Sequence, residues 1–130
     1  MSPDEQTTLT EQLLRKINFT IAEKETEGDL CYFNDLLAPT FAMLRANGEL
    51  ADRGQFLAKV APSDERRTSI ESIQIFDDRA VVTCVVEMGM EMGQDNSHAR
   101  QFHNVCVFIR SDVEDWKLFA WANRKLPHTQ

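Results

Sequence analysis

Several residue types are scarce in this chain of 130 residues, and each scarcity excludes a class of protein. The three cysteines, Cys31, Cys84 and Cys106, include no C-x-x-C pair and are too few for a disulfide framework. Five glycines and four prolines exclude a collagen-like or low-complexity chain. No stretch approaches the roughly 18 apolar residues of a membrane-spanning helix. We therefore expect a globular protein with mostly buried cysteines in a reducing compartment.

Basic residues are also in deficit, with 14 lysines and arginines against 21 aspartates and glutamates, for a net charge of -7. An acidic surface repels phosphate groups, and the densest basic run is only Arg66-Arg67. Binding to nucleic acid or to an anionic membrane is therefore disfavoured. The polar, acidic start from Met1 to Glu5 is unlike a signal peptide, so a cytoplasmic location is the simplest expectation.

Motifs for common cofactors are absent as well. The sequence has no G-x-G-x-x-G, P-loop, H-E-x-x-H or G-x-S-x-G motif. The histidines, His98, His103 and His128, do not stand at metal-ligand spacing. The sequence therefore predicts no cofactor and no metal site.

Apolar residues make up 42% of the chain. This is enough for one domain over residues 1–130 with a hydrophobic core. Leu9, Leu13, Ile17 and Ile21 recur every four residues, which indicates one face of an amphipathic helix. Gly28 is a natural end for it. We predict a long first helix over residues 4–27.

The middle of the chain predicts two short helices around a hairpin. Asp29 and Asp52 are typical helix caps, and Pro39 and Pro62 are expected to end the helices that follow them. Asn47-Gly48 is a strong hairpin signal because both residues tolerate a positive φ. The predicted strands of that hairpin are residues 41–45 and 49–51.

The second half of the chain alternates with the period of β-strands. The predicted strands are residues 69–76, 80–92, 100–110 and 116–125. The last two are apolar on both faces, so both sides of the sheet need cover. Helices can cover one side, and we expect a second copy of the chain to cover the other, which makes a homodimer through the sheet. Helices followed by strands predict an α+β fold.

Five segments, in their order, resemble the nuclear transport factor 2-like superfamily, in its SnoaL-like bacterial branch. These segments are residues 27–29, 41–48, 78–82, 102–107 and 115–123. The resemblance implies a cone, in which a curved antiparallel sheet wraps around the long N-terminal helix with two shorter helices. It also implies a pocket at the open end and, usually, a dimer. Members include isomerase-like, dehydratase and polyketide cyclase-like enzymes, and many proteins of no known activity.

The sequence departs from the ketosteroid isomerase pattern within that superfamily. Such an enzyme needs a tyrosine and a protonated carboxylic acid as an oxyanion hole, and a carboxylate base. Tyr32 is the only tyrosine, and no acidic residue interrupts the apolar centre of the last two strands. Isomerase chemistry of that kind is therefore in doubt.

His103 is the candidate catalytic residue, because a titratable group among apolar neighbours is a setting that tunes a general base. The alternative is a strand histidine that is hydrogen bonded to a neighbour. Trp121 and Asn123 share a face of the last strand and are predicted to bind ligand, Trp121 as an apolar wall and Asn123 as an orienting amide. The alternative for Trp121 is a position in the core or at the dimer interface. Arg45 near the hairpin turn and Tyr32 complete the predicted ligand-binding set.

Two functions stay open on these residues. The first is binding of a small, largely apolar molecule in the pocket, with acid–base isomerase or dehydratase chemistry as its catalytic form. The second is a non-catalytic homodimerisation or association module whose pocket is residual or filled by its own side chains. Convergence of polar groups in an open cavity would favour the first.

Overall fold

Three helices and a curved, unclosed sheet of six strands make up the parts of the chain that the computed structural model describes, residues 2–89, 100–112 and 115–127. The helices are α1 (Pro3–Glu27), α2 (Leu30–Leu36) and α3 (Arg53–Ala58). The strands are β1 (Leu37–Leu44), β2 (Leu50–Asp52), β3 (Arg66–Phe76), β4 (Arg79–Met88), β5 (Arg100–Asp112) and β6 (Asp115–Lys125). Their order in the sheet is β2-β1-β6-β5-β4-β3. The α+β cone expected from the sequence is confirmed.

Helix α1 begins and ends where its capping residues predict. The Ser2 hydroxyl accepts a hydrogen bond from the Glu5 N–H, and Gly28 ends the helix with a φ of 72°. The buried face is rotated from the predicted stripe, since Leu9 is 50% exposed. The buried residues of the helix are Leu14, Asn18, Ile21 and Ala22.

The caps of the short helices are confirmed, but their predicted ends are wrong. Asp29 accepts from the Tyr32 N–H, and Asp52 forms a capping box with Gln55. Helix α2 ends at Leu36, and Pro39 lies inside β1, where the pairing with β6 is irregular between Leu37 and Ala42. That irregularity accommodates a residue without an N–H to donate. Helix α3 likewise ends at Ala58, before Pro62.

The hairpin predicted at Asn47-Gly48 is present. The Arg45 N–H donates to the Glu49 carbonyl at 2.8 Å, and Gly48 has a φ of 89°. This turn projects beyond β1 at one end of the sheet. It therefore brings Arg45 and its neighbours to the open end of the cone.

The sheet is mixed rather than wholly antiparallel, which corrects the expectation from the sequence. Strand β1 pairs parallel with β6, and the remaining neighbours pair antiparallel. The reason is topological: the chain crosses from α3 to the far edge at β3 and returns strand by strand to β1. Strand β3 also begins earlier than predicted, at Arg66, and residues 90–92 of the predicted fourth strand lie outside the described residues.

A bulge in β6 overturns the strict alternation predicted for that strand. Val107 pairs with Ala120 but Phe108 pairs with Leu118, so Phe119 is an extra residue. Trp121 consequently lies on the core face together with Leu118, instead of on the opposite one. On β5 the core face is that of Asn104, Cys106 and Phe108. The other face carries His103, Val105, Val107 and Ile109.

Aromatic side chains close the core beneath the short helices. Phe56 of α3 packs against Phe33 of α2, Phe41 of β1 and Trp121 of β6, with ring centroids 5.4, 5.4 and 5.8 Å apart. The two phenylalanine pairs are edge-to-face, and such pairs contribute about 0.5–1.5 kcal/mol each beyond burial. This cluster fixes α2 and α3 against the sheet and leaves space above it. None of the described helices is both long and apolar enough to cross a membrane.

Candidate functional site

An open cavity of about 420 Å³ lies above the aromatic cluster, between the end of α1, the hairpin turn and α3. Cavities of about 300–1,000 Å³ are typical of small-molecule sites. Its apolar lining is Phe33, Met43, Phe56 and Val60, with Ala46 and Ala61 nearer the mouth. Its polar lining is Glu25, Arg45, Asn47, Lys59, Ser63, Arg66 and Asn123.

Glu25 and Arg66 form the most buried charged pair in this cavity. The Glu25 Oε1 lies 3.6 Å from the Arg66 Nε, and their side chains are 20% and 11% exposed. The Arg66 Nη1 donates to the Ser63 hydroxyl at 2.7 Å and to the Asp64 carbonyl at 2.9 Å. These bonds fix the guanidinium against the loop before β3, so it faces the cavity in one orientation.

Burial raises the pKa of Glu25 to about 7, although the charge of Arg66 acts to lower it. The carboxyl group is therefore divided between its neutral and ionised forms near neutral pH. A group with such a pKa can give or take a proton in that range. Perturbed carboxyls in clefts are markers of function for this reason.

Two of the predicted ligand-binding residues line the cavity. Arg45 stands at its mouth, beside the hairpin turn, and Asn123 of β6 lies deeper. The Asn123 Oδ1 is buried without a hydrogen-bond partner in the described part of the chain. A buried polar atom without a partner costs free energy, which a donor placed beside it would recover.

The other two predicted ligand-binding residues lie beneath or beside the cavity. The Trp121 Nε1 donates to the Asn104 Oδ1, and its ring supports Phe56 from below. Tyr32 packs edge-on against Phe33, 5.3 Å between ring centroids, and does not line the cavity. Burial raises the pKa of Tyr32 to about 12, so its phenol stays neutral. Trp121 thus has the core position that the sequence left as its alternative.

His103 is not brought to the cavity. Its side chain lies on the opposite face of the sheet from Asn104, and its Nε2 is 2.9 Å from the Glu71 Oε1. This is the alternative of a strand histidine hydrogen bonded to a neighbour. The catalytic role predicted for His103 therefore has no support from its position, because the inward place at this point of β5 belongs to Asn104.

Sequence reasoning missed Glu25, Lys59, Ser63 and Arg66. A signal for the first was present on α1, where Leu14, Asn18, Ile21 and Glu25 follow one another at intervals of four, three and four residues. Such spacing places Glu25 on the buried face of the helix. The signals for the others were weak, since short loops carry no periodicity.

A smaller cavity of about 10 Å³ adjoins the first at Glu25, between α1 and the inner face of β3–β6. This volume is about that of one water molecule. In the described ranges no three histidine, cysteine or acidic residues are placed to hold a metal ion. Among the cysteines, Cys84 and Cys106 are buried as expected, and Cys31 is exposed.

No protein-family model matches the sequence, and no curated protein matches it either. Solved structures do match. A proposed scytalone dehydratase from Novosphingobium aromaticivorans aligns with a TM-score of 0.73 at 11% identity, over 98% of this chain and 92% of that one. An NTF2-like protein from Cytophaga hutchinsonii aligns with a TM-score of 0.67 at 18% identity, over 97% and 100%.

A third match is a proposed calcium/calmodulin-dependent kinase II association domain from Exiguobacterium sibiricum. It aligns with a TM-score of 0.71 at 17% identity, over 92% of this chain and 95% of that one. At these identities the likeness shows the fold. The chain has the nuclear transport factor 2-like fold, as the resemblance of its sequence segments implied.

Proposed function

We propose that the chain binds a small molecule in the cavity at the open end of the cone. The observation that carries this proposal is the convergence of polar groups on an apolar floor. Glu25, Arg66 and Asn123 line the same 420 Å³ space as the apolar side chains of Phe33, Met43 and Phe56. Sites for small ligands combine a mostly apolar lining with a few fixed polar groups in this way.

The described residues, 2–89, 100–112 and 115–127, do not fill the cavity. Trp121, the side chain best able to plug it, lies below the floor and is held there by its bond to Asn104. The buried Asn123 Oδ1, without a partner among the described residues, also fits an incomplete site that a ligand completes. These two features favour ligand binding over a residual pocket.

Acid–base chemistry in this site would use Glu25. Its carboxyl group faces the cavity and has a pKa of about 7, whereas His103 faces the other side of the sheet. The dehydratase match makes proton transfer on a bound ligand the natural catalytic form of this proposal. The proposal itself concerns binding and does not depend on catalysis.

Nuclear magnetic resonance tests the binding proposal with four probes that share a six-membered apolar ring: cyclohexanol, benzyl alcohol, benzamide and benzoate. We expect at least one, in the millimolar range, to shift the amide signals of residues 43–47 and 59–63. Signals of the distant turn at residues 77–79 serve as the reference. Absence of any localised shift for all four probes would contradict the proposal.

A blocked variant sharpens this test. Ala61→Trp places a large ring at the mouth of the cavity, whereas Ala58→Trp places the same ring on the exposed side of α3, outside the lining. Probe binding should be lost in the first variant and kept in the second. Equal binding by both would place the probes elsewhere.

A second candidate function, association of two copies through the sheet, rests on the outer face of β4–β6. That face carries Val81, Val85, Val105, Val107, Ala120 and Ala122, which no described helix covers. Contiguous apolar faces of this kind are typical of interfaces. The match to an association domain supports the same candidate. A second copy with the same face is the occupant proposed, and the two functions are compatible.

Sedimentation equilibrium tests the association. We expect a dimer at micromolar concentration, and a monomer after Val107→Lys at the centre of the face. Gln74→Lys, at the β3 edge of the same face, is the control and should leave the dimer intact. A monomeric unsubstituted chain would contradict this candidate.

A further inference from the structure

The charge of the cavity is opposite in sign to that of the chain. The whole chain carries -7, yet among the described residues the cavity is lined by the cations Arg45, Lys59 and Arg66 against one acid, Glu25. The acidic outer surface repels anions, whereas the positive charge inside the cavity attracts an anion that enters it. The local charge therefore points to a negatively charged ligand.

Arg66 is built to bind such a group. Its Nη1 is anchored by Ser63 and Asp64, and within the described chain no hydrogen bond engages Nε or Nη2. The pair of N–H groups on one edge of a guanidinium matches the two oxygens of a carboxylate. Glu25 forms an ion pair with Nε at 3.6 Å but no hydrogen bond, so a bound carboxylate must displace Glu25 from this edge.

Glu25 competes with a bound anion for the same cation. The groups that face it are Arg66 from β3, the thiols of Cys84 on β4 and Cys106 on β5, and, across the cavity, Arg45 and Lys59. Burial raises the pKa of Cys84 to about 11 and that of Cys106 well above its usual value, so both thiols are neutral at physiological pH. Arg66 is therefore the charge that Glu25 and a ligand must share.

We propose that the cavity binds a monocarboxylate with a compact apolar body, and that this binding takes up one proton at Glu25. The inference rests on the proposed function of the cavity. The ligand carboxylate pairs with the Nε and Nη2 edge of Arg66, and the apolar body of the ligand lies on Phe33, Met43 and Phe56. The protonated Glu25 no longer repels the ligand, and its O–H donates a hydrogen bond to a ligand oxygen.

The direction of the pH dependence follows from the groups involved. Below a pKa of about 7, Glu25 is already neutral and the anion binds without a proton from solution. Above it, each binding event must also protonate Glu25. The affinity for the carboxylate is therefore constant on the acid side and falls on the basic side, by about tenfold per pH unit at the limit.

Benzoate and benzamide test this inference, because they have the same shape and differ in charge. Their affinities are measured calorimetrically at about pH 6 and about pH 8, either side of the Glu25 pKa. We expect benzoate to bind more tightly than benzamide at the lower pH and to lose affinity at the higher one. Benzamide should change little. In two buffers of different protonation enthalpy, benzoate binding at the higher pH should take up about one proton.

Glu25→Gln and Glu11→Gln form a matched pair on α1, since Glu11 is exposed and lies outside the lining of this cavity and of its neighbours. The first variant should bind benzoate with no pH dependence and no proton uptake, and the second should behave as the unsubstituted chain. Benzamide binding as tightly as benzoate, or benzoate binding without proton uptake, would overturn the inference and leave the cavity a ligand site. Loss of all probe binding would instead count against the proposed function.

Discussion

The Glu25 carboxylate faces the Arg66 guanidinium at 3.6 Å on the inner side of the cone, with both side chains largely buried. This pair joins the end of the longest helix to the start of β3. It also lies where the open cavity of about 420 Å³ meets the smaller one. Its energetics therefore bear on stability as well as on ligand binding.

Replacement of Glu25 by glutamine should change how stability depends on pH. The raised pKa means that the folded chain binds more protons than the unfolded chain between the ordinary value of 4.5 and about 7. The free energy of unfolding contributed by Glu25 therefore falls as pH rises through this window and is constant above it. The stability of Glu25→Gln relative to the unsubstituted chain should rise across it by up to about 3 kcal/mol. Urea unfolding at several pH values measures this, and a flat difference would contradict it.

The hydrogen bond from Trp121 to Asn104 predicts that replacing Trp121 costs more stability than replacing Trp116. Trp121→Phe leaves the buried Asn104 Oδ1 without its donor and should cost about 1–3 kcal/mol beyond the lost packing. Trp116→Phe is the control, because the Trp116 Nε1 is buried with no hydrogen-bond partner in the described residues. Chemical denaturation compares the two. Equal losses would show that the bond contributes little.

Alanine substitutions at Gly28 and Gly54 should have opposite effects on the stability of the fold. A Cβ at Gly28 would lie 2.4 Å from the Pro62 nitrogen, and the φ of 72° is strained for any other residue. Gly28→Ala should therefore destabilise the chain by about 1–3 kcal/mol and disturb the loop beside the cavity.

Gly54 lies in α3, and the nearest atom to a Cβ there is 3.6 Å away. Gly54→Ala should be neutral or stabilise by up to about 1 kcal/mol. Thermal unfolding of the two variants gives the comparison. A stable Gly28→Ala variant would show that the contact with Pro62 yields easily.

His103→Ala should leave binding in the cavity unchanged, since the side chain lies on the outer face with Glu71. The same substitution is expected to alter the sheet face proposed for association. Probe binding and sedimentation separate these effects. A loss of probe affinity without a change in oligomeric state would show that His103 takes part in ligand binding.

The parts of the fold that the sequence predicted are those governed by local signals. Asp29, Asp52 and Asn47-Gly48 cap helices or turn the chain through their own side chains and backbone, and the structure agrees at each. Period-two alternation likewise separated the two faces of β5, but it did not tell which of them is the core face, and the candidate His103 lies on the outer one. Boundaries at Pro39 and Pro62 were wrong because a proline is also tolerated within an irregular edge pairing or in a loop.

The rest depended on contacts between distant segments. The bulge at Phe119 moves Trp121 to the core face of the sheet, and no local sequence pattern indicates an extra residue in a strand. Parallel pairing of β1 with β6 was equally invisible. The site was missed for the same reason, because Glu25 and Arg66 are 41 residues apart and meet only when α1 packs on β3. Arg45 and Asn123 were found as single residues without the cavity that connects them.

A crystal structure with bound 4-bromobenzoate shows whether the cavity binds an aromatic carboxylate at Arg66, since anomalous scattering locates the bromine independently of the fit of the ring. We expect a bromine peak against Phe33, Met43 and Phe56, with the carboxylate at the Arg66 guanidinium and within hydrogen-bond distance of Glu25. A cavity without the probe at saturating concentration, or a bromine peak outside this lining, would contradict it.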